Sequence, residues 1–509
     1  MFLSAARIKT GAFHCARNLL QPQLKLHVST TAAYKPSVYH ASRASTQSVT
    51  TSTATMATES TIHLSPSQHA EYAFAVPNLT QASAQKTSEL LQRNHENHHI
   101  FFNSSGFHNH IAHHLLTLYA LGAAPSALQA AYTANAGYQR HASPAQRSVV
   151  QALHDSATFA SSLGDGKNYT SFLAFFQSEM RDKGWQAVVQ EYLFSGTPRA
   201  DDLLVRTFAG FLHPLIHLGF GVEFGQGAIV AEALAQAAVH ANWIGDVFLG
   251  AEKAAAETGA GGRGTRGEKT MVQILEECRA DAKLKAAPRF EDGNKIRDGI
   301  LKRAGDEMIG YASQYVVGEG EEELQRKTAE MINASAYFSA AAQHPPHQVK
   351  YDFFYIHCLN SSIFFSSFLA PHNAAFLTPS TKRRLLEWKI RNDIVMYVSR
   401  GSPALHISEI QNYTPRKPSG WAGIFQRVNA LTDDDGHASK LIRALAHGQK
   451  VCEPYEGQEG FMVTGDMWEK MGHMAIDSVE AGGPNWVRSC GFEEAWREIP
   501  LREGEDARL

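Results

Sequence analysis

Residues Phe353 to Leu369 constrain the fold most. They hold no Asp, Glu, Lys or Arg and are apolar nearly all round, at a length of roughly five helical turns. A helix apolar on every face is buried on every face. His357, Asn360 and several serines interrupt it, and the other long apolar stretch, Phe208–Val222, holds His213, Pro214 and His217. Neither is a clean run of roughly 20 apolar residues, so no membrane span is expected and both belong inside protein. A body of helices must surround them.

The rest of the chain supplies such helices. Ile111, Leu115 and Leu118 follow helical spacing up to Gly122 and Pro125. Ala228–Trp243 is alanine-rich, and Lys382–Tyr397 is amphipathic. Asp433–Asp435 with Gly436 offers an N-cap to a helix carrying Leu441, Ile442 and Leu445, which Gly448 can end. The expected fold is all-α: a large multi-helix bundle with a histidine-rich core site and few or no strands, a small hairpin near Phe461–Thr464 being the exception. Length alone would allow about three domains, but the pattern favours one helical domain over 61–509. A flexible glycine-rich loop is expected near 257–269.

Residues 1–60 read as a separate leader. Met1 to Thr58 contains no Asp or Glu but has Arg7, Lys9, Arg17, Lys25, Lys35 and Arg43 among many serines and threonines. That composition matches a mitochondrial transit peptide. A disordered leader without an address, or translation starting at Met56 with a cytoplasmic product, are the alternatives.

Charge and cysteine narrow the chemistry. Lys and Arg number 47 against 50 Asp and Glu, which argues against a nucleic-acid partner. The five cysteines form no Cys-x-x-Cys pair, so a disulfide framework or thiolate metal site is not expected. Cys358 beside His357 reads as buried and inert. Gly259-Ala-Gly-Gly-Arg-Gly264 matches a dinucleotide fingerprint only superficially, because a charged, alanine-rich segment precedes it instead of a strand.

Histidine is the chemical signal. The chain has 25, seven of them between His95 and His114. Four places set histidine in apolar, helix-like sequence: His108 to His114, His213 with His217, His357, and His437 with Lys440 one turn on. Pro214 places His213 at a helix entrance or kink. Each buried imidazole needs partners, and convergence on one metal inside a bundle would supply them. His95-Glu-Asn-His-His99 also matches His-Glu-x-x-His, but its flanks lack an apolar stripe, so it reads as surface or lid rather than a zinc site. Glu223 and Glu232 are expected to orient ligand histidines.

Several strings resemble the fungal questin oxidase-like family. They are Asn94-His-Glu-Asn-His-His99, Gly106-Phe-His-Asn-His-Ile-Ala-His-His-Leu-Leu116, Phe211-Leu-His-Pro-Leu-Ile-His-Leu-Gly219, Ile356-His-Cys-Leu-Asn-Ser-Ser362, Leu386-Glu-Trp-Lys389 and Asp433-Asp-Asp-Gly-His-Ala-Ser-Lys440. The resemblance runs from about Ser65 to about Glu498. It implies an NADPH-dependent oxidoreductase of polyketide pathways, with Baeyer–Villiger-type oxygenation and ring opening of an anthraquinone- or xanthone-like substrate by O2. No convincing flavin or NADPH fingerprint accompanies it, which turns attention to iron or another divalent metal on the histidines. The best ligand set is His110, His213, His357 and His437, with Lys440 as a fifth member, exposed, neutral or converted to a carbamate. His114 and His217 are alternates or acid–base groups on the substrate. Trp243, Phe220, Phe364 and Phe365 are expected to line a pocket for flat rings. A metal-dependent hydrolase at the same histidines, or a non-catalytic helical scaffold with dispersed histidines, are the rival readings.

Overall fold

Helix Tyr355–Leu369 runs through the interior, and from Tyr355 to Phe365 all its residues are buried. Its hydroxyls are satisfied locally: Ser361 and Ser362 donate back to the carbonyls of Cys358 and Leu359 at 2.9 and 2.8 Å. Four helices pack around it, Ala209–Glu223, Glu321–Ala341, Pro379–Ser399 and His437–Cys452. The computed structural model describes residues 56–259 and 269–502. Residues 1–55 of the leader and 260–268 of the glycine-rich loop lie outside the described residues, whereas Glu59 and Ser60 already bond to Arg181 and Gln92 of the helical domain.

Among those residues are 22 α-helices and one two-stranded sheet, in which Tyr351–Asp352 pairs in parallel with Trp486–Val487. The chain is therefore all-α in architecture, with the histidine cluster in its core. No single helix among the described residues is long and apolar enough to cross a membrane. The hairpin expected near Phe461–Thr464 does not form. Val463 instead gives its N–H to Asn333 Oδ1 and accepts from Asn333 Nδ2 at 3.0 and 2.8 Å, so its backbone needs no strand partner. The alanine-rich helix is shorter than expected, Gly227–Ala238.

Three local features place the site. Helix Ile111–Ala120 is buried throughout and ends before Gly122, whose φ of +78° suits glycine. Helix His437–Cys452 begins after Gly436, and Asp434 accepts from the N–H groups of Ala438 and Ser439 at 3.0 and 3.1 Å. It runs on through Gly448 instead of ending there, and the glycine makes room for Trp468, which packs where a side chain would stand. Gly210, Phe211 and Leu212 all take left-handed φ, at 56°, 57° and 68°, immediately before His213-Pro214. The helix ending at Thr207 and the helix carrying His213 therefore meet at 97°. Phe211 and Leu212 are strained there, as bulky L-residues disfavour that region.

Glu223 does not orient a histidine. It forms a fully buried pair with Arg443, at 2.5 and 3.1 Å, and accepts the Ala73 N–H at 2.8 Å. Arg443 also donates to the Phe74 carbonyl at 2.7 and 3.0 Å. The pair thus ties segment 73–74 to two core helices.

Candidate active site and metal centre

Hydrogen bonding fixes where four imidazoles carry their protons. His213 Nδ1–H donates to the Gly210 carbonyl at 2.5 Å, and His357 Nδ1–H to the Phe353 carbonyl at 2.6 Å. Asp435 accepts from His437 Nδ1 at 2.5 Å and from His110 Nδ1 at 3.3 Å. A carbonyl or carboxylate oxygen only accepts, so each Nδ1 is the protonated nitrogen and each Nε2 is a bare lone pair. Those lone pairs face one another: His110 Nε2 lies 2.8 Å from His213 Nε2, and His437 Nε2 lies 3.2 Å from His357 Nε2.

Two lone pairs at such distances repel unless a cation lies between them. A shared proton is disfavoured. Burial drives His110 down to about 4, only partly offset by Asp435, and drives His213 and His357 well below the ordinary histidine value. A metal ion removes the conflict. Nitrogens of His110, His213 and His437 all lie within 4.8 Å of one another. Nitrogens sharing one ion at about 2.0–2.1 Å can stand no further apart than about 4.2 Å, so a small inward shift of the rings closes the shell. His357 stands outside that group of three, with its Nε2 3.2 Å from His437 Nε2 and its ring centroid 4.8 Å from that of His213. The partners at Nδ1 hold each ring in the way that orients ligand imidazoles in metalloproteins. The histidines converge, which is not the dispersal a scaffold would show.

Lys440 lies beside this group. Its ammonium is buried with no hydrogen-bond partner. Burial pushes it down to about 8 against the opposing pull of Asp435 and Asp434. Its charge in turn depresses His110, His213 and His357.

A cavity of about 790 Å³ opens onto the cluster, lined by His110 and His213 together with His108 and His240. Its apolar wall comes from Phe101, Phe107, Phe208, Phe211, Trp243 and Phe353. Of the expected pocket residues only Trp243 lines it. Phe220 and Phe364 pack on each other at 4.7 Å in the core, and Phe365 is buried there too, because their helices turn those faces inward. Sequence patterning favours helical aromatics, whereas this wall is drawn mostly from loops and helix ends.

His108 and His240 had no assigned role. His240 Nδ1–H donates to the Gln236 carbonyl at 2.7 Å, so its Nε2 accepts from His108 Nε2–H at 2.8 Å. His108 Nδ1 is then bare, on a ring stacked 3.8 Å from His213. His108 sits in the quoted histidine string, but nothing near His240 marks it. Gly210 makes the arrangement possible: a Cβ there would stand 2.5 Å from His240 Nε2 and 2.9 Å from His108 Nε2. Gly210→Ala is therefore expected to cost stability, by about 1–2 kcal/mol from the left-handed backbone alone, and to reduce turnover per folded molecule. Urea unfolding beside steady-state rates checks both.

His114 and His217 do not line the cavity. His114 lies 3.6 Å from Asp434. His217 stands behind His113, 3.0 Å away, and donates to Glu232 at 2.7 Å. Glu232 also takes His95 Nδ1–H at 2.8 Å, and His95 Nε2 meets Gln177 at 3.0 Å. Glu232 thus orients histidines as expected, though not the converging four. The His-Glu-x-x-His string does not bring His95 and His99 together: Glu96 and Asn97 are exposed, while the two imidazoles turn inward to different partners. Helix Gln81–Asn97 ends before His99, whose ring is buried and turned to Gly166 O at 3.1 Å, while His95 is buried on Glu232.

Burial alone would raise the Glu232 carboxyl, but hydrogen bonds and charge from His217 and His95 hold it down to about 2. A depressed carboxylate stabilises the fold above its unfolded value, and that contribution fades as pH falls toward the folded one. Stability is thus expected to fall between about pH 4.5 and pH 2 in wild type, and Glu232→Gln should flatten this part of a urea-unfolding pH series. An unchanged acid slope would contradict the assignment.

The dinucleotide string also fails on context. Helix Gly245–Gly259 leads into it where a strand is required, and 260–268 lie outside the described residues.

Comparison with known proteins bears on this geometry. Residues 107–445 match the family described as questin oxidase-like. The chain is 40% identical to the Baeyer–Villiger oxidase ptaJ of Pestalotiopsis fici over 82% of this chain and 94% of that one. It is 38% identical to the questin oxidase of Aspergillus terreus, over 88% of this chain and all of that one. The oxidoreductase AflY of Aspergillus parasiticus is 40% identical over 84% of this chain and 90% of its own.

Proposed function

Because the chain belongs to the questin oxidase-like family, we propose that it is an oxygenase of aromatic polyketides. In this reading one atom of O2 is inserted beside a ring carbonyl of an anthraquinone- or xanthone-like substrate, the other leaves as water with a hydride from NADPH and a proton, and hydrolysis of the ester so formed opens the ring. The observation that carries the proposal is the convergence of bare Nε2 atoms, with His110 and His213 on the wall of a large cavity.

His110, His213, His357 and His437 would hold the metal, with iron the ion best suited to oxygen chemistry on imidazoles. Bound there, it supplies oxygen activation and Lewis-acid polarisation of a substrate oxygen. Asp435 and the carbonyls of Gly210 and Phe353 keep the four lone pairs aimed inward. Lys440 would complete the set as a carbamate: its ammonium gives up one proton, the neutral amine adds to CO2 with loss of a second proton, and the product would offer an anionic oxygen where a buried cation without a hydrogen-bond partner stands now. Phe211, Phe353 and Trp243 sandwich the flat rings and exclude water. His108, rather than His217, stands where a substrate phenol would give up its proton.

The test is oxygen uptake on a hydroxyanthraquinone, with and without NADPH, by protein as purified, after chelation, and after iron is restored. Uptake that disappears with the metal and returns with iron is the expected result. Ring opening without oxygen uptake would point to a hydrolase and overturn the reading.

A further inference from the structure

Charge around the cavity bears on the substrate's identity. Arg140, Lys167 and Arg488 line it, and Asp165 is the one carboxylate among the lining residues. Asp165 is already engaged, capping the Lys167 backbone N–H at 3.0 Å. Other arginines form ion pairs, as Arg384 does with Glu252 and Arg502 with Glu409. Among the described residues no carboxylate forms an ion pair with Arg140, Lys167 or Arg488, although Asp352 and Asp435 are near enough to Arg488 to act on its charge. Three cations without a direct counter-ion, on a cavity with an aromatic wall, form a surface suited to negative charge.

Arg488 has the most telling position. Its guanidinium lies 4.0 Å over the Phe353 ring. That ring is 4.9 Å from His357 and 5.0 Å from His437. An anionic oxygen held at Arg488 therefore stands across one phenyl ring from the converging nitrogens. The planar guanidinium fork suits a carboxylate or phenolate at the edge of a flat ring.

We infer that the substrate binds as an anion, an aromatic ring system whose ionised phenol or carboxylate meets Arg488, with Arg140 and Lys167 strengthening the attraction. This rests on reading the cavity as the substrate site and makes that reading more specific.

The test is equilibrium binding, read by quenching of protein fluorescence. The probes are an anthraquinone carboxylate, its methyl ester, and a monohydroxyanthraquinone below and above ionisation of its phenol. An anionic form should bind about tenfold more tightly than the neutral one, the size of a charge-assisted hydrogen bond, and less so at high salt. Arg488→Ala should remove most of this preference, Arg488→Lys should keep part of it, and Arg140→Ala/Lys167→Ala/Arg488→Ala should abolish it while still binding the ester. A preference confined to the carboxylate arm, or to the phenolate arm, identifies the anion. Equal binding of every neutral and anionic form would overturn the proposal, as would a preference that survives the triple variant or a triple variant that loses the ester as well. Because binding is read without turnover, absence of oxygen uptake with all probes would count against the oxygenase and leave this comparison standing.

Discussion

His213→Ala is expected to abolish oxygen uptake and bound metal while leaving the helical content of the protein unchanged. His213 sits between the two halves of the cluster, its Nε2 2.8 Å from His110 Nε2 and its ring centroid 4.8 Å from that of His357, tilted by 48°. Its loss removes a ligand from a site whose affinity rests on a few imidazoles. His357→Ala should act in the same direction, since His357 is fully buried and its bare nitrogen faces only His437. Asp435→Asn makes a graded comparison. It keeps the shape but weakens the hold on His110 and His437, and changes to such supporting groups lower metal affinity or activity by about 10–100-fold. A core histidine held only by a backbone carbonyl forecasts otherwise: a loss of about 1–3 kcal/mol in stability, with the folded fraction fully active. Oxygen consumption and metal per folded molecule separate the two.

The largest effect on stability is expected at Glu223. Glu223→Ala leaves the Arg443 guanidinium buried without its counter-charge, which costs about 3–5 kcal/mol. It also frees segment 73–74, whose Ala73 N–H and Phe74 carbonyl are held by the same pair. Replacing both residues by apolar side chains of similar volume should recover much of the loss, since a buried ion pair is weakly stabilising as a whole. Urea unfolding of the single and double variants measures this. A single-variant loss below about 1 kcal/mol would mean that water reaches Arg443.

The helices were legible because burial imposes periodicity on sequence: Phe353–Leu369 carries no charge and lies at the centre. The converging histidines were legible for a related reason, since imidazoles in apolar helices need partners and His213-Pro214 marked a kink. What was hidden depends on distant pairings. Glu232 sits 137 positions from His95, and only the fold shows that it draws that one imidazole of the His-Glu-x-x-His string inward. The stretch Asp433–Asp435 does serve the helix start, through Asp434, but nothing in its spacing tells that Asp435 instead orients two imidazoles. His240 follows an ordinary alanine-rich helix, and its role depends on Gly210 having no side chain. Phe220 and Phe364 were misplaced because hydrophobic spacing identifies an inward face without distinguishing core from cavity.

X-ray absorption at the edge of the metal in the active protein addresses the central claim most directly. It should show nitrogen neighbours near 2.0–2.1 Å with the outer-shell scattering of several imidazoles, and that signature should vanish in His213→Ala along with oxygen uptake. Full activity in protein free of metal, or a metal environment without imidazole that His213→Ala leaves untouched, would contradict the claim that these histidines bind the metal that drives the reaction.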